Sequence, residues 1–170
     1  MKASPPRLGR TRLVAVDGPS GAGKSTFARK LKEALNATLI PTDHFATWDD
    51  PVAWWPRLQE VLDKIENGEE AKYQKNDWSE GFPRPGEWIT IQPPDILIIE
   101  GVSAARKSIQ HKLSYVIWVE LEDQEHRLER AVGRDGEQSR RHLEKWQAFE
   151  RGWFAVDDPK SRADYVVTSS

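Results

Sequence analysis

The stretch Leu13-Val14-Ala15-Val16-Asp17-Gly18-Pro19-Ser20-Gly21-Ala22-Gly23-Lys24-Ser25-Thr26 decides how the rest of the chain is read. Its first four residues are an apolar run of strand length, and Asp17-Gly18 turns that strand into a loop. Gly18 to Ser25 then satisfies G-x-x-x-x-G-K-[ST], the phosphate-binding P-loop pattern. Glycines let the backbone curl so that successive N–H groups point inward, and the loop opens a helix whose N-terminal dipole favours anions. The helix is predicted from Ser25, because Phe27, Leu31 and Leu35 recur every four residues with Arg29, Lys30, Lys32 and Glu33 between them. Gly18, Ser20, Gly21, Ala22, Gly23, Lys24, Ser25 and Thr26 are therefore candidates for nucleotide binding. Lys24 would reach the β- and γ-phosphates, the Ser25 hydroxyl would ligate Mg²⁺, and Thr26 would add a contact near the α-phosphate.

Working outward, Ala37 to Ile40 reads as a second strand closed by Pro41, and Val52, Trp55, Leu58, Leu62 and Ile65 mark one face of a helix that stops at Asn67-Gly68. The prolines and glycines of Glu69 to Pro94 predict mostly loop, with a short extended piece at Trp88 to Ile91. Ile96 to Ile99 is a third buried strand, Tyr115 to Leu121 a fourth and Tyr165 to Val167 the last. Helices are expected over Glu122 to Val132 and up to about Phe154, separated by a polar, Arg-rich turn over Gly133 to Arg141. Alternating strands and helices predict an α/β P-loop NTPase three-layer sandwich, a parallel sheet covered by helices on both faces. The expected organisation is a flexible N-terminal tail over 1–12 and a single domain over 13–170. That domain would carry an acceptor or lid insertion at about 43–94 and an Arg-rich lid at about 130–141.

The composition narrows the function classes. A chain of 170 residues accommodates one hydrophobic core. No run approaches the roughly 20 apolar residues of a spanning helix, so no membrane partner is expected. With 25 basic against 27 acidic residues there is no general positive excess, and nucleic-acid binding through the phosphate backbone is not favoured. Zero cysteines exclude disulfides, thiolate metal sites and a catalytic thiol, which fits a cytoplasmic location.

In open α/β sheets ligands bind beyond the carboxyl ends of the strands, and two acids fall there. Asp43 follows the second strand, where it could take the proton of an attacking hydroxyl; Glu100 ends the third, where it could hold Mg²⁺. The alternative for each is a surface or capping acid. Arg127, Arg130, Arg134, Arg140 and Arg141 cluster around a helix end, with Arg134 the first candidate for neutralising a transferring phosphoryl group and Arg130 for contacting nucleotide. A solvated stripe paired with Glu129 and Asp135 is the alternative. His44, His111, His126 and His142 lack metal-ligand spacing; His44, adjacent to Asp43, could line the site but reads first as an ordinary loop histidine. Trp54 and Trp55, at helical spacing, read as core.

Taken in order, Gly18 to Thr26, Asp43-His44-Phe45, Asp50-Pro51-Val52-Ala53-Trp54, Asn76-Asp77-Trp78, Ile98-Ile99-Glu100-Gly101, Arg130 to Asp135 and Arg162-Ala163-Asp164-Tyr165-Val166-Val167 resemble the uridine kinase and phosphoribulokinase family of P-loop kinases. The resemblance spans nearly the whole chain. It implies transfer of the ATP γ-phosphate, with Mg²⁺, to a hydroxyl of a small molecule, in uridine kinases the 5′-hydroxyl of uridine or cytidine. It also implies that Asp43 binds the acceptor hydroxyl as base and that Arg134 belongs to a lid. The chain departs from the family on the acceptor side: Ala46 stands where a tyrosine is usual, Asn76-Asp77-Trp78 replaces Tyr-Asp-Phe, and Arg130-Ala131 replaces paired arginines. The expectation is thus a Mg·ATP-dependent kinase with a nucleoside-like acceptor, in which Asp77 binds hydroxyls and Trp78 or Trp48 stacks on a ring. A kinase for another nucleoside, a sugar phosphate or a vitamin precursor stays open, as does a nucleotide-binding ATPase or sensor.

Overall fold

The computed structural model describes residues 4–49, 52 and 55–169; Asp50, Pro51, Ala53 and Trp54, quoted above, lie outside the described residues. Five strands form one parallel sheet in the order β2-β5-β1-β6-β7, comprising β1 (Arg12–Asp17), β2 (Thr38–Pro41), β5 (Ile96–Glu100), β6 (Leu113–Glu120) and β7 (Tyr165–Thr168). The apolar runs of β1 and β5 are continuous because both their faces are covered, whereas the edge strand β7 is largely exposed. Successive side chains of β1 go to opposite sides: Leu13 and Ala15 join one buried cluster with Ile40, Leu97 and Ile99, while Val14 and Val16 join another with Ile98, Ile117 and Val119. Helix α1 (Lys24–Leu35) covers the second cluster through Ala28 and its partly buried Phe27, Leu31 and Leu35. Helix α2 (Trp55–Glu66) covers the first through Leu58, Val61, Leu62 and Ile65. The chain is a three-layer α/β sandwich.

The register brings the strand ends level. Val16 and Pro41 both pair with Glu100, so the P-loop, the short turn Thr42–His44 after β2, and Glu100 open onto one edge of the sheet.

Three segments differ from the sequence reading. Residues 69–94 are not mostly loop: β3 (Ala71–Asp77) and β4 (Arg84–Ile91) form an antiparallel hairpin. Ala71 pairs with Ile91 and Tyr73 with Ile89, and all four pack against the cluster under α2. Lys75 and Glu87 form an ion pair across the hairpin, and the Lys72 ammonium lies 5.4 Å from the Trp88 ring centre. The alternation at 71, 73, 89 and 91 was there to be read, but the prolines and glycines around it masked it. Nor is the whole of 1–12 a flexible tail. Leu8 and Thr11 exchange backbone hydrogen bonds, the Thr11 hydroxyl donates to the Pro94 carbonyl at 2.6 Å, and Leu8 is fully buried. An apolar side chain that joins the core fixes the backbone on either side of it. Third, the polar turn expected over 133–141 is mostly helical. Helix α3 (Gln124–Asp135), N-capped by the Asp123 carboxylate accepting from the His126 N–H, runs to Asp135, and α4 (Arg140–Asp157) begins five residues later. No helix among the described residues is long and apolar enough to cross a membrane.

Candidate functional site

The P-loop leaves β1 at a buried carboxylate. Asp17 Oδ1 accepts from the Gly18 N–H at 2.7 Å and from the Ser103 N–H at 3.1 Å, and Oδ2 accepts from the Ala105 N–H at 2.9 Å, tying the loop to the segment that follows β5. Gly18 has φ +143°, and a Cβ there would lie 2.0 Å from the Val119 carbonyl oxygen, so only glycine lets the loop pass β6 so closely. Burial pushes Asp17 up to about 6, against the pull of its three N–H donors and Lys24. The folded chain holds this proton more tightly than the unfolded chain, so the contribution is full below the ordinary value of 3.8 and is lost as pH rises through about 6. Wild type should lose on the order of 3 kcal/mol relative to Asp17→Asn between pH 4 and pH 7, read as the difference in their denaturant midpoints. A pH-independent difference would refute the assignment.

Helix α1 starts at Gly23 with no side-chain cap, leaving its first N–H groups open to an anion. Lys24 is buried and its Nζ donates to the Pro19 carbonyl at 2.9 Å. The Arg130 guanidinium, from α3, lies 3.4 Å from where a Gly23 Cβ would stand, so it hangs over the P-loop. One turn earlier, Arg127 is buried and donates to the carbonyls of Leu121 and Glu122, a structural role that carries its own backbone against Gly21. Arg140 pairs at the surface with Glu129 and Glu137, the solvated stripe rather than the site.

Ser25 Oγ donates to Glu100 Oε1 at 3.2 Å. Glu100 is buried at the end of β5, and desolvation pushes it up to about 7, with Asp43 raising it further and Lys24, Ser25 and Arg134 lowering it. A desolvated carboxylate beside a hydroxyl, under the P-loop, suits a hard divalent cation. No cluster of three His, Cys, Asp or Glu side chains that could hold a metal occurs among the described residues, so Mg²⁺ here would take further ligands from phosphate and water.

Asp43 is exposed on the turn after β2. Trp78 Nε1 donates to its carbonyl at 2.8 Å, which docks the hairpin against this turn. Between them opens a groove of about 400 Å³ lined by His44, Lys75, Asn76, Asp77, Trp78 and Glu87. Asn76 is fixed by donating to the Ala46 carbonyl at 2.8 Å, and His44 Nδ1 shares a hydrogen bond of 2.9 Å with the Tyr73 hydroxyl. Burial holds His44 below its ordinary value, favouring the neutral imidazole. Asp77 is solvent-exposed at the groove mouth, its carboxylate accepting from the Ser79 N–H at 2.9 Å. Trp48 does not line the groove. It meets Trp78 edge-on at 5.3 Å and Trp146 at 5.8 Å, and stacks on His142 at 5.1 Å, so it joins the hairpin to α4. Arg134 is exposed and held by both oxygens of Asp135, within electrostatic reach of Asp43 and Glu100.

Uridine kinase of Halobacterium salinarum is 28% identical over 149 residues, covering 77% of this chain and 65% of that protein, so the chain spans just under two thirds of its length. Uridine kinase of Macrococcus caseolyticus is 25% identical over 156 residues, 81% of this chain and 75% of that one. A structure described as a possible uridine kinase from Bacillus stearothermophilus superposes with a TM-score of 0.66 over 92% of this chain and 88% of that one, at 16% identity. The chain is similar in sequence to these uridine kinases and shares the fold of that structure. D-glycerate 3-kinase from Cryptococcus neoformans shares that fold at a TM-score of 0.58, 14% identity, and 82% and 78% coverage. No protein-family model matches.

Two buried acids of this uridine kinase-like chain were missed by the sequence reading. In sequence Asp17 is only the residue leading into the loop; the amides of Ser103 and Ala105 that satisfy its carboxylate are far along the chain. Glu150, on α4, accepts from the backbone N–H of Ser20. A signal for it existed: Leu143, Gln147 and Glu150 follow one another at four- and three-residue steps and form the buried face of α4.

Proposed function

We propose that the protein transfers the γ-phosphate of Mg·ATP to a hydroxyl of a small, nucleoside-like molecule seated in the groove beside Asp43. The observation that carries this reading is the convergence, at one sheet edge, of the P-loop with Lys24, the Ser25–Glu100 pair, and the exposed Asp43, whose neighbour His44 lines a groove the size of a small metabolite. The names of its relatives supply the nucleoside. In this reading P-loop amides and Arg130 hold the phosphates while Lys24 and Arg134 neutralise charge on the moving phosphoryl group. Asp43 takes the proton of the acceptor hydroxyl as its oxygen bonds to phosphorus and ADP departs. Mg²⁺, held through Ser25 and Glu100, would supply charge neutralisation at the β- and γ-oxygens. Asp77 and Asn76 offer hydrogen-bond partners to acceptor hydroxyls, and Trp78 an apolar ring face.

The test is ADP release from Mg·ATP in the presence of a panel of nucleosides and phosphorylated sugars. Release that depends on a nucleoside supports the proposal. Release that depends only on a sugar phosphate moves the acceptor class, which the polar groove and the Ala46 and Asn76 departures favour as second reading. Release that ignores acceptor makes the protein an ATPase. Trp78→Ala should raise acceptor KM about three- to tenfold, the worth of one aromatic contact, with Trp48→Ala acting in the same direction through Trp78. Unchanged KM in both variants would return the tryptophans to simple packing.

A further inference from the structure

Glu150 plays no part in the chemistry above, yet it is one of the most buried charged groups of the chain at 1% exposure. Its two oxygens each lie 3.1 Å from the Ser20 amide nitrogen, and Oε2 accepts from Ser20 Oγ at 2.8 Å. Burial pushes its carboxyl up, while Lys24, the Ser20 donors and Arg127 pull it back. A carboxylate is retained at such depth only where donors and cations compensate its lost hydration, and here those partners belong to the P-loop and to the helix that packs on it.

The same peptide unit is held from its other end. The Pro19 carbonyl accepts from the Ala22 N–H at 3.2 Å and from Lys24 Nζ at 2.9 Å. Because the peptide is planar and trans, its C=O and N–H point in opposite directions. A carboxylate fixed on the Ser20 N–H therefore aims the Pro19 carbonyl at the Lys24 ammonium. We infer that Glu150 is a positioning residue for nucleotide binding: by orienting the Pro19–Ser20 peptide it sets the resting place of Lys24 and ties the shape of the P-loop to α4. The inference rests on the P-loop as the nucleotide site, not on which acceptor is phosphorylated.

What the role requires is a hydrogen-bond acceptor at this position. Glu150→Gln keeps an oxygen that can accept from Ser20. Glu150→Met fills the volume without one, and Glu150→Ala empties it. Titration of wild type and variants with Mg·ADP and Mg·ATP, without acceptor, should give Glu150→Met and Glu150→Ala affinities about tenfold weaker than wild type and Glu150→Gln within about threefold. Affinity of Glu150→Met within twofold of wild type, binding tighter than wild type, or a loss in Glu150→Gln as large as in Glu150→Met would each overturn the inference. Should Glu150→Ala not fold, the comparison of Glu150→Met with Glu150→Gln decides alone. A wild type that binds nucleotide but phosphorylates no acceptor would sink the kinase proposal and leave this one standing.

Discussion

Asp43→Asn should lower kcat by about 10²- to 10⁴-fold, the usual worth of a positioned general base, while Mg·ATP affinity stays within about threefold. The asymmetry comes from placement. Asp43 stands exposed on the turn after β2, next to His44 of the groove, and acts on the P-loop side through the field it shares with Glu100 and Arg134. The amide keeps the size and the hydrogen-bonding oxygen of the carboxylate but cannot accept a proton. Its backbone, which receives the Trp78 indole N–H, is untouched, so the hairpin stays docked. The measurement is steady-state ADP release with the identified acceptor, alongside nucleotide titration. Near wild-type kcat would remove Asp43 from the base role, and a parallel collapse of ATP affinity would make it a nucleotide-site residue instead.

Lys24→Met should reduce kcat/KM by roughly 10³-fold, in the range found for losing a preorganised charge at a transition state. Lys24 is the cation felt in common by three buried carboxylates, Asp17, Glu100 and Glu150. Removing it therefore does more than withdraw one phosphate contact. With its favourable field gone, each of these acids shifts further toward its neutral form, and Glu100 becomes a poorer ligand for Mg²⁺. Weaker nucleotide binding should accompany the lost turnover, and raising pH should restore part of the binding but not the rate. Turnover within tenfold of wild type would contradict the assignment of Lys24 to the transferring phosphate. Lys24→Arg is not a conservative control, because the larger, planar guanidinium spreads its charge and donors differently from the compact ammonium seated on the Pro19 carbonyl.

Both predictions concern residues visible in the sequence, and the reason is local. The P-loop is a motif of fixed spacing whose glycines and lysine act within eight residues. Asp43 and Glu100 were visible because the first closely follows and the second ends a run of strand length, and parallel strands present their carboxyl ends to one edge. The hairpin over 71–91 was harder, since its period-two signal at Ala71, Tyr73, Ile89 and Ile91 is interrupted by Gly81, Pro83, Pro85 and Gly86, which speak for loop. Arg140 shows the opposite limit. Its place near Arg134 in sequence suggested the site, but α4 turns it toward Glu129 and Glu137 on the surface.

What the sequence determined by itself was the phosphate loop, the parallel sheet around it and the acids at the strand ends, each written in a few consecutive residues. Only the tertiary structure decided that Trp48 bridges the hairpin to α4, that Asp17 binds the segment after β5, and that Glu150 reaches back 130 residues to Ser20. These contacts join side chains from separate elements, and the burial that gives each its energy exists only once those elements pack. A carboxylate on a helix looks alike in sequence whether it faces water or the P-loop; packing alone puts Glu150 beneath the amide it holds.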